Sequence, residues 1–134
     1  MRLYFENPVG RVLEHPHGYA LVQYAEGPRD FATFQALLTH THQLLRRHGW
    51  HKILADQRYI TTFTAEEQQW VANYWLERSA QDGYELYGAV LVSGERLAHL
   101  PPDALADTLH QQSALRYRLF ATEDEATAWL LQLP

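Results

Sequence analysis

Cysteine is absent from the 134-residue sequence. Its absence excludes a disulfide framework, thiolate catalysis and cysteine-ligated zinc. Long apolar runs are absent too, because no stretch approaches the roughly 20 consecutive apolar residues that a membrane helix needs. The first ten residues also lack the apolar core of a signal peptide. The sequence therefore predicts a cytoplasmic chain without membrane insertion.

Basic residues are few, with 11 Lys and Arg against 16 Asp and Glu, and the formal net charge is −5. Nucleic-acid affinity depends mainly on clustered Lys and Arg. The adjacent pair Arg46 and Arg47 lies in the last turn of a predicted helix, where cations complement the helix dipole. We therefore expect no nucleic-acid partner. The length fits a single domain over residues 1–134.

Short apolar runs separated by turn residues predict the order of strands and helices. Residues 2–7 and 11–14 predict either two short strands or one bent strand, and a tight turn at residues 15–18 follows. Further strands are predicted at residues 19–24, 53–56, 86–92 and 115–120. Helices are predicted at about residues 31–48, 64–81 and 103–112 and from residue 122 onward, with a helical turn at 95–100.

Capping residues mark several of these helix ends. Asp30 and Thr64 are placed to accept the first backbone N–H groups of the helices that follow them. Glu67 completes a capping box with Thr64, and residues 122–125 form a second one. Gly49 comes after the last turn of the first helix, where a left-handed residue commonly ends helices.

Strand-helix alternation after an N-terminal antiparallel hairpin predicts the fold class. It is α/β, with a single mixed β-sheet, parallel neighbours joined by right-handed crossovers, and helices packed on the sheet. The runs at 53–56 and 86–92 are apolar enough to predict the central strands.

Residues 52–71 combine a buried strand, a polar segment with Asp56 and Arg58, a threonine-rich turn and a capped helix start. A strand that runs into a helix N-terminus is where α/β proteins usually place their functional groups, since unpaired N–H groups and the helix dipole point there. This segment is therefore the predicted site.

The order of elements, with FATFQALLTHTHQLLRRHG, KILADQRYI, TAEEQQWVANYW and EDEATAWL, resembles the small bacterial STAS-like domains. These are related to anti-sigma-factor antagonists and share a gross fold plan with the CRAL-TRIO lipid-binding proteins. The resemblance implies signalling through a protein partner and a hydroxyl phosphorylated by a kinase. Asp56 matches the strand aspartate of the antagonists, and Thr61, Thr62 and Thr64 fall near the phosphoacceptor. The Asp and Gly of the family's turn are missing here.

Each candidate residue also has a structural alternative. Thr61, Thr62 and Thr64 either carry a switchable hydroxyl, or are structural, with Thr64 as the helix cap and the other two shaping the turn. Asp56 and Arg58 share a face and either bind a ligand or pair with one another. Aromatic residues of the same region predict a ligand or partner contact, with core packing as the alternative. They are Tyr59, Phe63, Trp70, Tyr74 and Trp75.

Catalytic and metal signatures are weak. Among the eight histidines, His40 and His42 diverge on a helix, and His48 and His51 have no third ligand at motif spacing. No serine lies in a Gly-x-Ser-x-Gly setting. We therefore expect no catalytic residue, no metal and no cofactor.

Two main hypotheses follow. The first is a non-enzymatic regulatory domain of STAS-like fold with a protein partner, switched at residues 61–64, and with a homodimer left open. The alternative is a carrier or sensor that holds a small apolar ligand between the aromatic helix and the sheet. A cavity lined by Trp70, Tyr74 and apolar residues would favour the carrier, and a closed core with an exposed aromatic ridge would favour the regulatory domain. An enzyme that uses Asp56, Arg58 and the histidines is a third reading.

Overall fold

A computed structural model describes residues 1–83, 85–99, 110–112 and 115–133. The described strands are β1 (Arg2–Asn7), β2 (Gly10–His15), β3 (Tyr19–Tyr24), β4 (Lys52–Asp56), β5 (Leu86–Leu91), β6 (His110–Gln112) and β7 (Leu115–Phe120). The described helices are α1 (Phe31–His48), α2 (Ala65–Asp82), α3 (Gly94–Ala98) and α4 (Glu123–Gln132).

The strands form one mixed sheet in the order β1-β2-β3-β4-β5-β7-β6. Strands β1, β2 and β3 pair antiparallel, and β3, β4, β5 and β7 run parallel. The predicted α/β class with a single mixed sheet is confirmed. Strands β4 and β5 lie in its interior, as their apolar sequences indicate.

Helix ends follow the capping residues of the sequence. The side chain of Asp30 accepts a hydrogen bond from the backbone N–H of Thr33, and the Thr64–Glu67 capping box is formed. Gly49 ends α1 with φ +67°, a left-handed conformation that glycine adopts without steric cost. The Thr122 hydroxyl accepts the N–H of Glu125 at the start of α4.

The two faces of the sheet carry separate apolar clusters. Side chains of α1 and α2, such as Phe34, Leu45 and Trp75, pack with Val12, Val22 and other sheet residues on one face. On the other face, Ala126 and Leu130 of α4 pack against a second set: Tyr19, Leu21, Leu54, Ala89, Leu91 and Phe120. The alternation of side chains along β3, β4 and β5 divides these residues between the faces. No helix in the described ranges is long and apolar enough to cross a membrane.

The predicted helix over residues 103–112 is wrong at its end. His110, Gln111 and Gln112 form β6, which pairs antiparallel with Tyr117, Arg116 and Leu115 of β7. Without β6 the outer edge of β7 would present unpaired backbone groups, so sheet pairing overrides the local helical pattern. The remainder of that predicted helix lies outside the described residues. The helical turn predicted at residues 95–100 corresponds to α3, and its last residue, Leu100, also lies outside the described residues.

The close approach of Gly10, at the start of β2, to β3 and α1 allows a test of how these elements pack. A Cβ atom added at Gly10 would lie 2.4 Å from the carbonyl oxygen of Gln23 and 3.2 Å from Cδ2 of Leu37 in α1. We predict that Gly10→Ala lowers the free energy of unfolding by about 1–3 kcal/mol or more, because backbone must move.

The matched control is Gly94→Ala at the start of α3, where an added Cβ meets nothing within 4 Å. That variant should stay within about 0.5 kcal/mol of the parent in urea unfolding. Equal stability of the two variants would contradict the packing of α1 against β2 and β3.

Candidate functional site

The predicted site lies in the loop of residues 57–64, which leaves the carboxyl end of the interior strand β4 and enters α2. Asp56, the last residue of β4, is only 5% exposed. Its carboxylate accepts hydrogen bonds from Nε of Arg58 at 2.9 Å and from Nη2 at 2.8 Å. Asp56 and Arg58 therefore pair with one another. By strand alternation Asp56 faces the α4 side of the sheet, opposite to Ala55.

A second ion pair holds the loop from the side of α1. Arg29, just before α1, donates from Nε to Oε2 of Glu67 and from Nη2 to Oε1, both at 2.8 Å. The two side chains are 6% and 7% exposed. The same guanidinium lies 3.3 Å from the carbonyl oxygen of Thr61 and 3.4 Å from that of Thr62. One buried cation thus fixes both the turn and the first turn of α2.

The three threonines have different roles. The Thr64 hydroxyl accepts the N–H of Glu67 at 3.1 Å, and Glu67 accepts the N–H of Thr64 at 2.8 Å, which completes the cap. Nη1 of Arg29 lies 3.4 Å from the Thr61 hydroxyl. Thr62 is exposed, and its hydroxyl takes no part in the cap. The loop therefore presents Thr62 while using Thr64 structurally.

The aromatic residues predicted to form one contact surface lie in different environments. Trp70 stacks on Tyr74 with 4.8 Å between ring centroids, and Trp70 meets Phe31 and Phe34 of α1 edge-on. Trp70 and Tyr74 therefore pack α2 against α1. Tyr59 is 62% exposed, which leaves its ring available at the surface.

A cavity of about 540 Å³ lies between α2 and the sheet. Its aromatic lining comes from Tyr24, Phe63, Trp75 and Tyr117. Phe63 and Trp75 are thus the predicted contact residues that reach it. Trp70 and Tyr74, which the sequence placed there, are engaged with α1 instead. Burial raises the pKa of Tyr24 and of Tyr117, so both phenols are neutral at ordinary pH.

The floor of the cavity is set by strand register. One row of neighbours across β3, β4, β5 and β7 consists of Val22, Ala55, Val90 and Leu119, and the next includes Ile53, Gly88 and Tyr117. All of these seven line the cavity. At Gly88 an added Cβ atom would lie 3.4 Å from Leu115, which also lines the cavity. The floor is therefore made of small and medium-sized side chains, of which Ala55 and Gly88 are the smallest.

Polar groups line the cavity at few points: Thr41, Gln57, Thr62, Gln68 and Arg96. Thr62 and Gln68 are exposed, so the cavity opens beside the start of α2. Arg96, in α3, is the cation of the described lining residues, and its Nη1 is buried without a hydrogen-bond partner among the described residues. Burial also lowers the pKa of its guanidinium.

Several histidines have structural partners. His42 lies 2.8 Å from Asp82 and joins α1 to the end of α2, and His48 contacts Glu14 of β2. His40 contacts the carbonyl oxygen of Ala36 through Nδ1 at 2.8 Å. Within the described ranges, no group of three or more His, Cys, Asp or Glu side chains is arranged to hold a metal ion.

Sequence reasoning missed Arg29, Arg96 and the cavity floor. Arg29 lies in a Gly-Pro-Arg segment that resembles a simple loop, and only the fold brings it to Glu67, 38 positions away. The sequence did contain one indication of the cavity floor. Side chains alternate between the two faces along a strand, which places Ala55, Gly88 and Val90 on one face of the sheet.

Comparison with known proteins yields no relative: no family model, no curated protein and no solved structure matches the chain. Function must therefore be argued from the geometry of the site.

The Arg29–Glu67 pair predicts a specific acid sensitivity. Hydrogen bonding from Arg29 is the main cause that lowers the pKa of Glu67. A carboxyl group whose pKa is lower in the folded state than in the unfolded state stabilises the fold when it is ionised. This stabilisation is fully present above the unfolded pKa of about 4.3, and it is lost as the pH falls through the folded pKa. We predict that Glu67→Gln flattens the fall in unfolding free energy between about pH 6 and pH 3.

The variant should also be less stable near pH 7, since breaking a buried ion pair costs roughly 3–5 kcal/mol. Glu66→Gln is the matched control, because Glu66 is exposed in the same helical turn. If Glu67→Gln kept the acid dependence of the parent, the pair would not be formed as described.

Proposed function

We propose that this chain is a non-enzymatic carrier or sensor domain that holds a small, mainly apolar molecule between α2 and the sheet. The observation that supports the proposal is the cavity of about 540 Å³ over the Ala55, Gly88 and Val90 floor. Ligand pockets are usually about 300–1,000 Å³, apolar, and supplied with a few polar groups. The cavity has each of these properties.

The hydrophobic effect supports a bound molecule. Valine, isoleucine and leucine side chains line the cavity, which opens to solvent beside Thr62 and Gln68. Removing apolar surface from water is favourable by roughly 25 cal/mol per Å². A ligand that enters through this opening and covers those side chains would therefore gain free energy from their burial.

The polar lining favours binding over catalysis. Thr41, Gln57, Thr62 and Gln68 are neutral hydrogen-bonding groups, and Arg96 is the charged one in the described lining. General acid–base chemistry needs a group such as His, Glu, Asp, Lys, Cys or Tyr, with a pKa near the working pH, within hydrogen-bond reach of the substrate. Of these, the described lining supplies only the tyrosines Tyr24 and Tyr117, and burial raises the pKa of both phenols further above neutral pH.

Filling the cavity tests the proposal. The neutral dye Nile red should bind the parent protein at one site, with increased fluorescence. Val90→Trp places a large side chain on the floor, where it would occupy space that the dye needs. Because fitting both into the cavity would overpack it at a cost of about 1–3 kcal/mol, the affinity for the dye should fall by about tenfold or more. Ala55→Leu should act in the same direction.

Leu131→Trp is the control, since Leu131 is 50% exposed on α4 at the other side of the sheet. It should leave dye binding unchanged. Far-UV circular dichroism of each variant separates loss of binding from loss of fold. Unchanged affinity in folded Val90→Trp and Ala55→Leu would exclude the cavity as the binding site.

A second candidate function is the regulatory switch that the STAS-like resemblance implies, with a protein partner at the exposed Tyr59 and Thr62 surface. The favouring observation is the division of roles in the turn, because Thr64 caps α2 whereas the Thr62 side chain is exposed. A phosphate on Thr62 would lie near the N-terminus of α2, where backbone N–H groups and the dipole favour negative charge.

Two variants and one analysis of the native chain test the switch. Thr64→Ala should lower the free energy of unfolding by about 1 kcal/mol, the usual contribution of a cap. Thr62→Ala should leave stability nearly unchanged, and mass spectrometry of the chain from its native host should find phosphate on Thr62. Thr62→Ala that unfolds as readily as Thr64→Ala, or a chain without phosphate at residues 61–64, would show that the turn is only structural.

A further inference from the structure

We infer that the ligand of this cavity is an amphiphile with a single carboxylate, which Arg96 binds at the cavity mouth while the apolar part lies over the Gly88 floor. The inference rests on the proposed function and adds to it the chemical class of the ligand.

Arg96 lies where two spaces meet. It lines the cavity, and it also lines a more open neighbouring cleft formed by Ile60, Thr61, Thr62, Ser93, Glu95, Arg96 and His99. Thr62 is the other described residue common to both spaces. The Ser93 hydroxyl accepts the backbone N–H of Arg96 at 3.1 Å, which fixes the start of α3. A molecule that extends from the cavity floor to the cleft would pass Arg96 and Thr62.

The guanidinium of Arg96 is incompletely satisfied. Its Nη1 is buried and has no hydrogen-bond partner in the part of the chain that the structure describes. Arg29 and Arg58, in contrast, each donate two side-chain hydrogen bonds to one carboxylate. A buried donor without a partner costs about 1–3 kcal/mol, and more when it is charged. An anionic ligand group would remove that cost.

The chemistry of the surroundings selects a carboxylate. The planar guanidinium matches a carboxylate through two parallel hydrogen bonds. One described cation lines the cavity, and Glu95 lines the adjoining cleft. A phosphate monoester carries about −1.5 to −2 charges near pH 7, so its second charge would meet no further Lys or Arg among the described lining residues and would be repelled by Glu95. A monoanion fits the available charge better.

The apolar part of the ligand follows from the floor. The rows through Ala55, Val90 and Leu119 and through Ile53 and Gly88 present no charged group to the cavity. A hydrocarbon tail loses no hydrogen bond when it enters such a space, whereas a polar body would lose several. The charged head therefore stays beside Arg96, and the tail points toward Gly88.

Binding of matched ten-carbon ligands, measured by calorimetry below their micellar concentrations at about pH 7.5, tests the inference. The probes are decanoic acid, decanol and decyl phosphate. The parent should bind decanoic acid at least about tenfold more tightly than decanol, since hydrogen bonds to a charged group contribute that much. Arg96→Gln should lower the affinity for the acid to that for the alcohol while leaving the alcohol unchanged. The affinity of Arg96→Lys for decanoic acid should lie between that of the parent and that of Arg96→Gln.

Arg47→Gln serves as control, because Arg47 is exposed in the last turn of α1. It should bind all three probes as the parent does. Equal affinity of the parent for acid and alcohol, with Val90→Trp still weakening both, would overturn the carboxylate inference and leave the carrier function standing. Tighter binding of decyl phosphate than of decanoic acid would also overturn it. If no probe binds and Nile red does not bind either, the carrier function itself fails.

Discussion

The buried ion pair between Arg29 and Glu67 is the interaction on which the described site depends. It joins the residue before α1 to the first turn of α2, and the same guanidinium holds the carbonyl oxygens of Thr61 and Thr62. Removing either partner would leave an uncompensated buried charge, which is far more costly than losing a surface pair. The pair therefore sets the position of the loop and of the start of α2 above the sheet. That position determines the mouth of the cavity.

The cavity arises from a mismatch between the two layers that enclose it. On the sheet, register places Ala55 beside Val90 and Ile53 beside Gly88, so the floor is made of small and medium side chains. On the helix side, Trp70 and Tyr74 are engaged with α1 and do not descend into the space. On the opposite face, the described residues show no such mismatch, since Ala126 and Leu130 of α4 pack fully buried against Leu54, Ala89 and Leu91. The face under α1 and α2 is also packed, but it includes a space with Arg96 at its edge.

The sequence predicted the parts that depend on local chemistry. Helix ends at Asp30, Gly49 and Thr64, the apolar interior strands and the mixed sheet all follow from capping rules and side-chain period. It did not predict what depends on long-range register. Strand β6 exists because β7 has an edge to pair, and the Arg29–Glu67 pair joins segments far apart in the chain. The carrier hypothesis named a cavity under the aromatic helix. It assigned the lining to Trp70 and Tyr74, because sequence spacing cannot show which residues of an aromatic helix turn toward a neighbouring helix and which toward the sheet.

A heteronuclear NMR titration of the isotopically labelled chain with decanoic acid tests directly whether the cavity binds a ligand. We expect saturable shifts concentrated on the cavity side, at Phe63, Gly88, Val90 and Arg96, with little change at Leu91 and Leu130 on the α4 side. Shifts centred on the α4 face, or confined to the exposed ring of Tyr59, would contradict binding in the cavity.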